Sequence, residues 1–243
     1  MGKIYVVGIG PGDEENMTIR AQAVLKTCDV IVGYKTYTDL VRSRYPDKVI
    51  IESAMRSEID RCKTCLELAK NGRTVALICS GDAGIYGMAS PMLEVAAEEG
   101  FDDVETVPGV TAALSGSAVL GAAVGHDLCT ISLSDLLTSW DRIEERLRCA
   151  ARGDFCIAIY NPASKKRTDH LKKACHVLLE TIPADRPCGI VRNIGRADTG
   201  VKLCTLGELA DEPADMFTTV FIGNSQTYVN NNKLITPRGY KLQ

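Results

Sequence analysis

A chain of 243 residues with 28 basic and 31 acidic side chains carries a formal charge of -3, so it offers no general surface for nucleic acid or another polyanion. Its length can bury a real core in one large domain or two small ones, and no apolar stretch reaches the ~18 residues of a membrane-spanning helix. The start, "MGKIYVV", enters a strand-like run with neither an arginine-rich presequence nor a secretory apolar region, and a cytoplasmic protein without a membrane partner is expected.

Apolar strand-like runs alternate with amphipathic helical ones. "KIYVVGI" is followed by a helix around Thr18 to Thr27, then "DVIVG", a helix near Thr36 to Arg44, "KVIIE", a helix from about Ser57 to Lys70, and "RTVALICSG". A helix in "SPMLEVAAEEG" and a strand in "DVETV" lead to "PGVTAALSGSAVLGAAVG", where proline opens a small-residue run at an expected helix N-terminus. Beyond it, "LCTISLS", "DFCIAIYN", "PCGIVRN", "VKLCTL" and "FTTVFIG" give further strands with only two long helices between them. The pattern predicts an α/β protein with a mostly parallel N-terminal sheet and a more mixed C-terminal one. The boundary is placed near residue 122, giving domains 1–121 and 122–243 with a ligand cleft expected between them.

Ten cysteines are expected to be mainly small buried hydrophobes, and Cys79, Cys129, Cys156, Cys188 and Cys204 all fall in strand-like runs. Cys62 and Cys65 share one helical face, but no second CxxC completes a metal site. His170 and His176 are too far apart for helical zinc ligands and read as surface or helix-packing residues. No metal is assigned.

The loop "VVGIGPGD" misses the dinucleotide fingerprint because Asp13 stands where the third glycine belongs. Pro11 also removes an N–H that a pyrophosphate would use, and no G-K-[ST] follows for a P-loop. The turn suits close backbone approach to a ligand without phosphate, or a packing role alone. "CSGDAGIYG", "VPGVTAALSG" and "IYNPASKKR" also stand at carboxyl ends of strands. Asp82 suits a ligand with hydroxyls and a sulfonium or ammonium charge, which points to S-adenosylmethionine; an ordinary Asx-type turn at Asp82 explains the same residue.

"VGIGPGD", "DVIVGYKTYTDL", "SGDAGIYGMA", "VPGVTAA", "GHDLCTISLSDLL" and "IYNPASKKR", in this order and over nearly the whole chain, resemble the tetrapyrrole methylases. Within them "SGDAGIYGMA", "ISLSDLLTSW" and "IYNPASKKR" are similar to the precorrin-3B or cobalt-factor III carbon-17 methyltransferases of cobalamin synthesis. "LGAAVGHD" lacks an expected proline, "CSGD" has cysteine where serine is common, and the cysteine-rich extension of some relatives is absent from this sequence. The resemblance implies a two-domain fold with its active site in the cleft between the domains, and a homodimer. It implies S-adenosyl-L-methionine as donor and S-adenosyl-L-homocysteine as product. Donor contacts are implied at Gly10, Pro11, Gly81, Asp82, Ala83, Tyr86, Thr111 and Ala112, and in the other half at Tyr160, Asn161, Arg192, Asn193, Thr219 and Val220.

The sulfonium makes the methyl group electrophilic, so alignment with an electron-rich ring carbon matters more than a strong base. The ring contraction that the resemblance adds also needs proton movement. His126 is the first candidate, with Asp127, Lys35, and Ser80 with Asp82 beside it. Ser80, Lys165, Lys166, Arg167 and Arg196 are candidates to meet the tetrapyrrole and its carboxylates, although a "KKR" run also fits a solvated face. Another precorrin or uroporphyrinogen methylase, or a non-catalytic corrinoid-binding protein, stays open as an alternative.

Overall fold

Strand β1 (Ile4–Gly8) takes apolar residues on both faces because helices cover it on both sides. The computed structural model describes residues 2–54 and 57–241. In the unit Met1–Ala112, β1 joins β2 (Val30–Tyr34), β3 (Val49–Ser53), β4 (Val75–Cys79) and β5 (Val104–Val107) in a parallel sheet of order β3-β2-β4-β1-β5. Ile4, Val6, Val32 and Leu77 face helices α3 (Glu58–Lys70) and α4 (Ala89–Glu98). Val7, Ile31 and Ile78 face α1 (Ile19–Thr27) and α2 (Lys35–Val41). The oxygen of Thr18 accepts from Ala21 N–H at 3.1 Å, which fixes where α1 begins.

The strand order creates a switch point. The connection from β1 runs through α1 to β2, while that from β4 runs through α4 to β5, so neighbouring strands send their chains toward opposite edges. A crevice outside the carboxyl ends of β1 and β4 follows from this topology.

The unit Ala113–Gln243 is built on a mixed sheet. It is entered through α5 (Ala112–Leu120) and the short β6 (Gly121–Ala122), followed by β7 (Leu128–Ser132), α6 (Trp140–Arg152), β8 (Cys156–Tyr160) and α7 (His170–Leu179). Then come β9 (Pro187–Arg192), β10 (Gly200–Thr205), α8 (Leu206–Leu209), β11 (Thr218–Ile222), β12 (Tyr228–Asn230) and β13 (Lys233–Ile235). The main sheet has the order β10-β9-β11-β8-β7, with β7 and β8 parallel and the other pairs antiparallel. Ile157, Ile159, Ile190 and Val220 pack on α6, α7 and α8.

The units divide at Ala112/Ala113, nine residues ahead of the division at 121/122 expected from sequence, and α5 packs with the second unit. A β-carbon at Gly116 would lie 2.6 Å from the Phe221 ring, and one at Gly189 would lie 2.6 Å from Leu120. The small residues of α5 let it lie close on the sheet face opposite α6 and α7. A third sheet, β12-β13-β6, is additional to the expected elements. Its hairpin turns at Asn231 and Asn232, both at positive φ (47° and 56°), as a two-residue hairpin loop requires. Among the described residues no helix is long and apolar enough to cross a membrane.

Candidate active site

Three loops of the first unit meet backbone to backbone at the switch point. Gly10 N–H donates to the Gly81 carbonyl at 3.1 Å and Gly81 N–H returns a bond to the Gly10 carbonyl at 2.7 Å. Both glycines sit at positive φ, 74° and 68°, a conformation that L side chains resist. The loop after β5 closes on the same point: a β-carbon at Gly109 would stand 2.1 Å from the Gly81 oxygen and 2.6 Å from the Gly8 oxygen. The opening glycines thus serve close backbone packing between loops.

Asp82 ties this junction together. Its Oδ1 accepts from the N–H groups of Gly84 (2.8 Å) and Ile85 (3.0 Å), and its Oδ2 accepts from Gly109 N–H (2.9 Å). The Asx-type turn is therefore present, and a third bond crosses to the β5 loop. Asp13 is used in the same local way, accepting from the backbone and side-chain amides of Asn16 at 2.8 and 2.7 Å. Neither arrangement supplies cations or free amides for a phosphate.

Gly81, Asp82, Thr111 and Ala112 are half-buried, and Tyr86 is exposed at positive φ (54°), so these loops present surface to a ligand. Gly10 and Pro11 are buried and shape the turn beneath. Ala83 has no exposed surface and packs in the core with α3 and α4, which makes it a support for the loop. Ser80 is half-buried at the end of β4. Lys35, at the start of α2, is exposed and pairs with Asp39 one turn on at 3.1 Å.

In the second unit Tyr160 ends β8, and its phenol oxygen accepts from Ala113 N–H at 2.8 Å, tying the strand to the first turn of α5. Asn161 follows at positive φ (52°), donating to Ser132 Oγ at 3.0 Å. Arg192 is exposed and paired with Asp215 at 2.9 Å. Asn193, also at positive φ (52°), is buried and donates to Asp198 at 2.6 Å. Arg196 lies over the Phe217 ring at 4.9 Å. Thr219 and Val220 are buried in β11; Val220 gives its side chain to the core, leaving Thr219 as the polar member of the pair.

His126 and Asp127 precede β7 and form an exposed pair, Nδ1 to Oδ2 at 3.3 Å. Both side chains are open to solvent and within reach of a ligand, as acid–base work requires. Lys165 and Lys166 are exposed, whereas Arg167 is largely buried, its Nε donating to Ser164 Oγ at 3.2 Å. Two residues outside the expected site stand beside Arg167. Asp135 meets His170 Nε2 at 3.1 Å and lies 3.9 Å from Arg167 Nε. The His170 contact, with a smaller contribution from Arg167, holds Asp135 below the usual carboxylate range.

All ten cysteines are free, and Cys149 alone is exposed. Cys62 and Cys65 lie on one buried face of α3, as their spacing implies, and burial pushes the Cys62 thiol up to about 11 and Cys65 higher still. Cys79, beneath the β4 loop, is likewise pushed up to about 11 by burial. Such thiols stay protonated and behave as core residues. Among the described residues no group of three or more His, Cys, Asp or Glu side chains is placed to hold a metal.

Comparison with known proteins agrees with this architecture. A family model described as Tetrapyrrole (Corrin/Porphyrin) Methylases matches residues 3–210. The chain is 47% identical over 240 residues to a probable cobalt-factor III C(17)-methyltransferase of Salmonella typhimurium, covering 98% of this chain and 100% of that one. It is 39% identical over 249 residues to a precorrin-3B C(17)-methyltransferase of Sinorhizobium sp, covering 98% and 97%. Two longer relatives, from Priestia megaterium and Archaeoglobus fulgidus, are matched over 45% and 53% of their length. The crystal structure of the methyltransferase CobJ superposes with a TM-score of 0.92 at 35% identity, covering 98% of this chain and 100% of that one. The chain belongs to the tetrapyrrole methylases.

Proposed function

We propose that this protein transfers a methyl group from S-adenosyl-L-methionine to carbon 17 of a precorrin-3-type tetrapyrrole, with contraction of the ring to the precorrin-4 level in cobalamin biosynthesis. The full-length likeness to C(17)-methyltransferases is the observation that carries the reading. Cobalt-factor III is the preferred ring, because the relative at 47% identity is named for it and the one named for precorrin-3B is at 39%. The reading includes a cytoplasmic homodimer, and sedimentation of the purified protein tests the oligomer.

The residues of the first unit fit the donor. Gly81, Asp82, Thr111 and Ala112 offer a half-buried rim of small residues with one carboxylate, and the loops beneath lack phosphate-binding chemistry. When bound, the donor supplies an electrophilic methyl group on a sulfonium. The glycine junction holds the rim rigid, and Asp82 places negative charge near a cationic ligand while fixing the turn. Calorimetry is expected to detect S-adenosyl-L-homocysteine and little binding of NADH or ATP. Tight NADH binding without homocysteine-form binding would end the reading.

Lys165, Lys166 and Arg167 are read as partners for the ring's carboxylate arms. Replacing all three by alanine is expected to raise the KM for the ring roughly tenfold and leave donor affinity within about twofold. An unmoved KM would make the run a solvated face. His126 is read as the acid–base group of contraction, with Asp127 as its partner and Lys35 as a second candidate. His126→Ala is then expected to allow methylation and slow contraction at least about tenfold, so that a methylated, uncontracted ring accumulates in quenched, isotope-labelled samples. Equal loss of both steps together with early melting would assign His126 a structural role.

A further inference from the structure

Asp135 and His170 have no part in the chemistry described above, but they stand beside Arg167 of the ring-binding run. Asp135 lies three residues beyond β7, on the segment leading to α6, and its two oxygens face two different side chains, an imidazole and a guanidinium. Oδ2 lies 3.1 Å from His170 Nε2, and Oδ1 lies 3.9 Å from Arg167 Nε. His170 has little freedom to turn: its side chain is only 9% exposed, its other nitrogen faces Asp169 at 3.3 Å, and Trp140 packs edge-on at 4.9 Å. Asp169 is held in turn by Lys173 at 2.8 Å. Asp135 is therefore anchored from the His170 side, and its second oxygen is free to act on Arg167.

Arg167 stands at the end of a tight turn, Ser164 to Arg167, closed by reciprocal backbone hydrogen bonds of 3.0 Å each. Its contacts with Ser164 and Asp135 are both made through Nε. Nη1 is buried and has no hydrogen-bond partner among the described residues. A guanidinium nitrogen enclosed without an acceptor is unfavourable, so the turn gains from an arrangement in which an external acceptor reaches the terminal nitrogens. The flanking Lys165 and Lys166 are exposed and make no ion pair among the described residues, which leaves a local excess of positive charge for such an acceptor. A carboxylate matches a guanidinium fork best.

We infer that Asp135, anchored by His170, is a positioning residue that sets the Arg167 guanidinium to receive a carboxylate arm of the tetrapyrrole. The inference rests on the reading of Lys165 to Arg167 as the ring-binding run. Asp135 would hold Nε while the turn shifts and the terminal nitrogens close on the substrate. Its contribution then appears in ring binding and depends on Arg167.

Steady-state kinetics of the full chain with cobalt-factor III test this, with donor affinity measured separately by calorimetry. Asp135→Asn is expected to raise the ring KM about tenfold with kcat and donor affinity changed less than about twofold, and Asp135→Glu to recover part of the loss. In an Arg167→Ala background the further effect of Asp135→Asn is expected to fall below about twofold, since the group it positions is gone. If Asp135→Asn melts early, Asp135→Glu carries the same cycle: its smaller rise in ring KM is expected to vanish when Arg167 is alanine. Arg167→Ala with an unmoved ring KM would remove the underlying clamp. Arg167→Ala with a raised KM, but effects that multiply fully with those at Asp135, would keep the clamp and overturn the positioning role.

Discussion

Gly109→Ala is expected to lose donor binding by on the order of a hundredfold and to lower stability by about 1–3 kcal/mol, the usual range for forcing atoms into a filled space. The added carbon would stand 2.1 Å from the Gly81 oxygen and 2.6 Å from the Gly8 oxygen, both backbone atoms that no rotamer change can move. Relief requires the β5 loop to withdraw, which also breaks the bond from Gly109 N–H to Asp82. Gly200→Ala is the control, because its new carbon would meet only the Arg192 β-carbon at 4.0 Å. Calorimetry of S-adenosyl-L-homocysteine and thermal melts of both variants check the expectation. An unaffected donor constant for Gly109→Ala would separate the glycine junction from the donor site.

Asp82→Ala is expected to weaken the donor by roughly 10- to 100-fold, because three amides lose a charged acceptor together and the equivalent of one such bond, about 1.5–3 kcal/mol, reaches the donor site while the rest falls on stability. Asp82→Asn should fall between the wild type and alanine. Its amide oxygen can still receive Gly84 and Ile85, but its NH2 group then faces the Gly109 N–H, donor against donor. Asp82→Lys should be at least as severe as alanine, since it adds a cation beside a sulfonium-bearing ligand. Unchanged donor affinity in all three variants would remove Asp82 from the site. Equal losses for asparagine and lysine would mean that turn geometry, and not charge, sets the affinity.

The alternation of strands and helices was legible because each element carries its own periodicity and, at Thr18, its own cap. The place of α5 was not. A helix of Ala, Ser, Gly and Leu has no strong polar face, so its partner is decided by Phe221 and Gly189, far along the chain. The β12–β13 hairpin is short and polar, and its only local signal is the "NNN" turn at residues 230–232.

The site shows the same division. Glycine-rich loops at strand ends are marked in the sequence itself, with Asp82 inside one of them. That its second oxygen reaches Gly109, 27 residues on, is a tertiary fact. Asp135 lies inside "ISLSDLLTSW" and His170 fits a surface or helix-packing residue, but their contact spans 35 residues and no local spacing encodes it. Burial decided the remaining cases: alanine and valine in a ligand-like stretch look identical whether they line a rim or, like Ala83 and Val220, fill a core.

The central claim is tested most directly by incubating the purified protein with methyl-labelled S-adenosyl-L-methionine and, in parallel, cobalt-factor III and precorrin-3B, then identifying products by mass and NMR. The account predicts label on carbon 17 of a contracted ring carrying a closed lactone, formed faster from the cobalt-containing substrate. Label at another ring position, or no transfer to either ring by a protein that binds the donor, would contradict it.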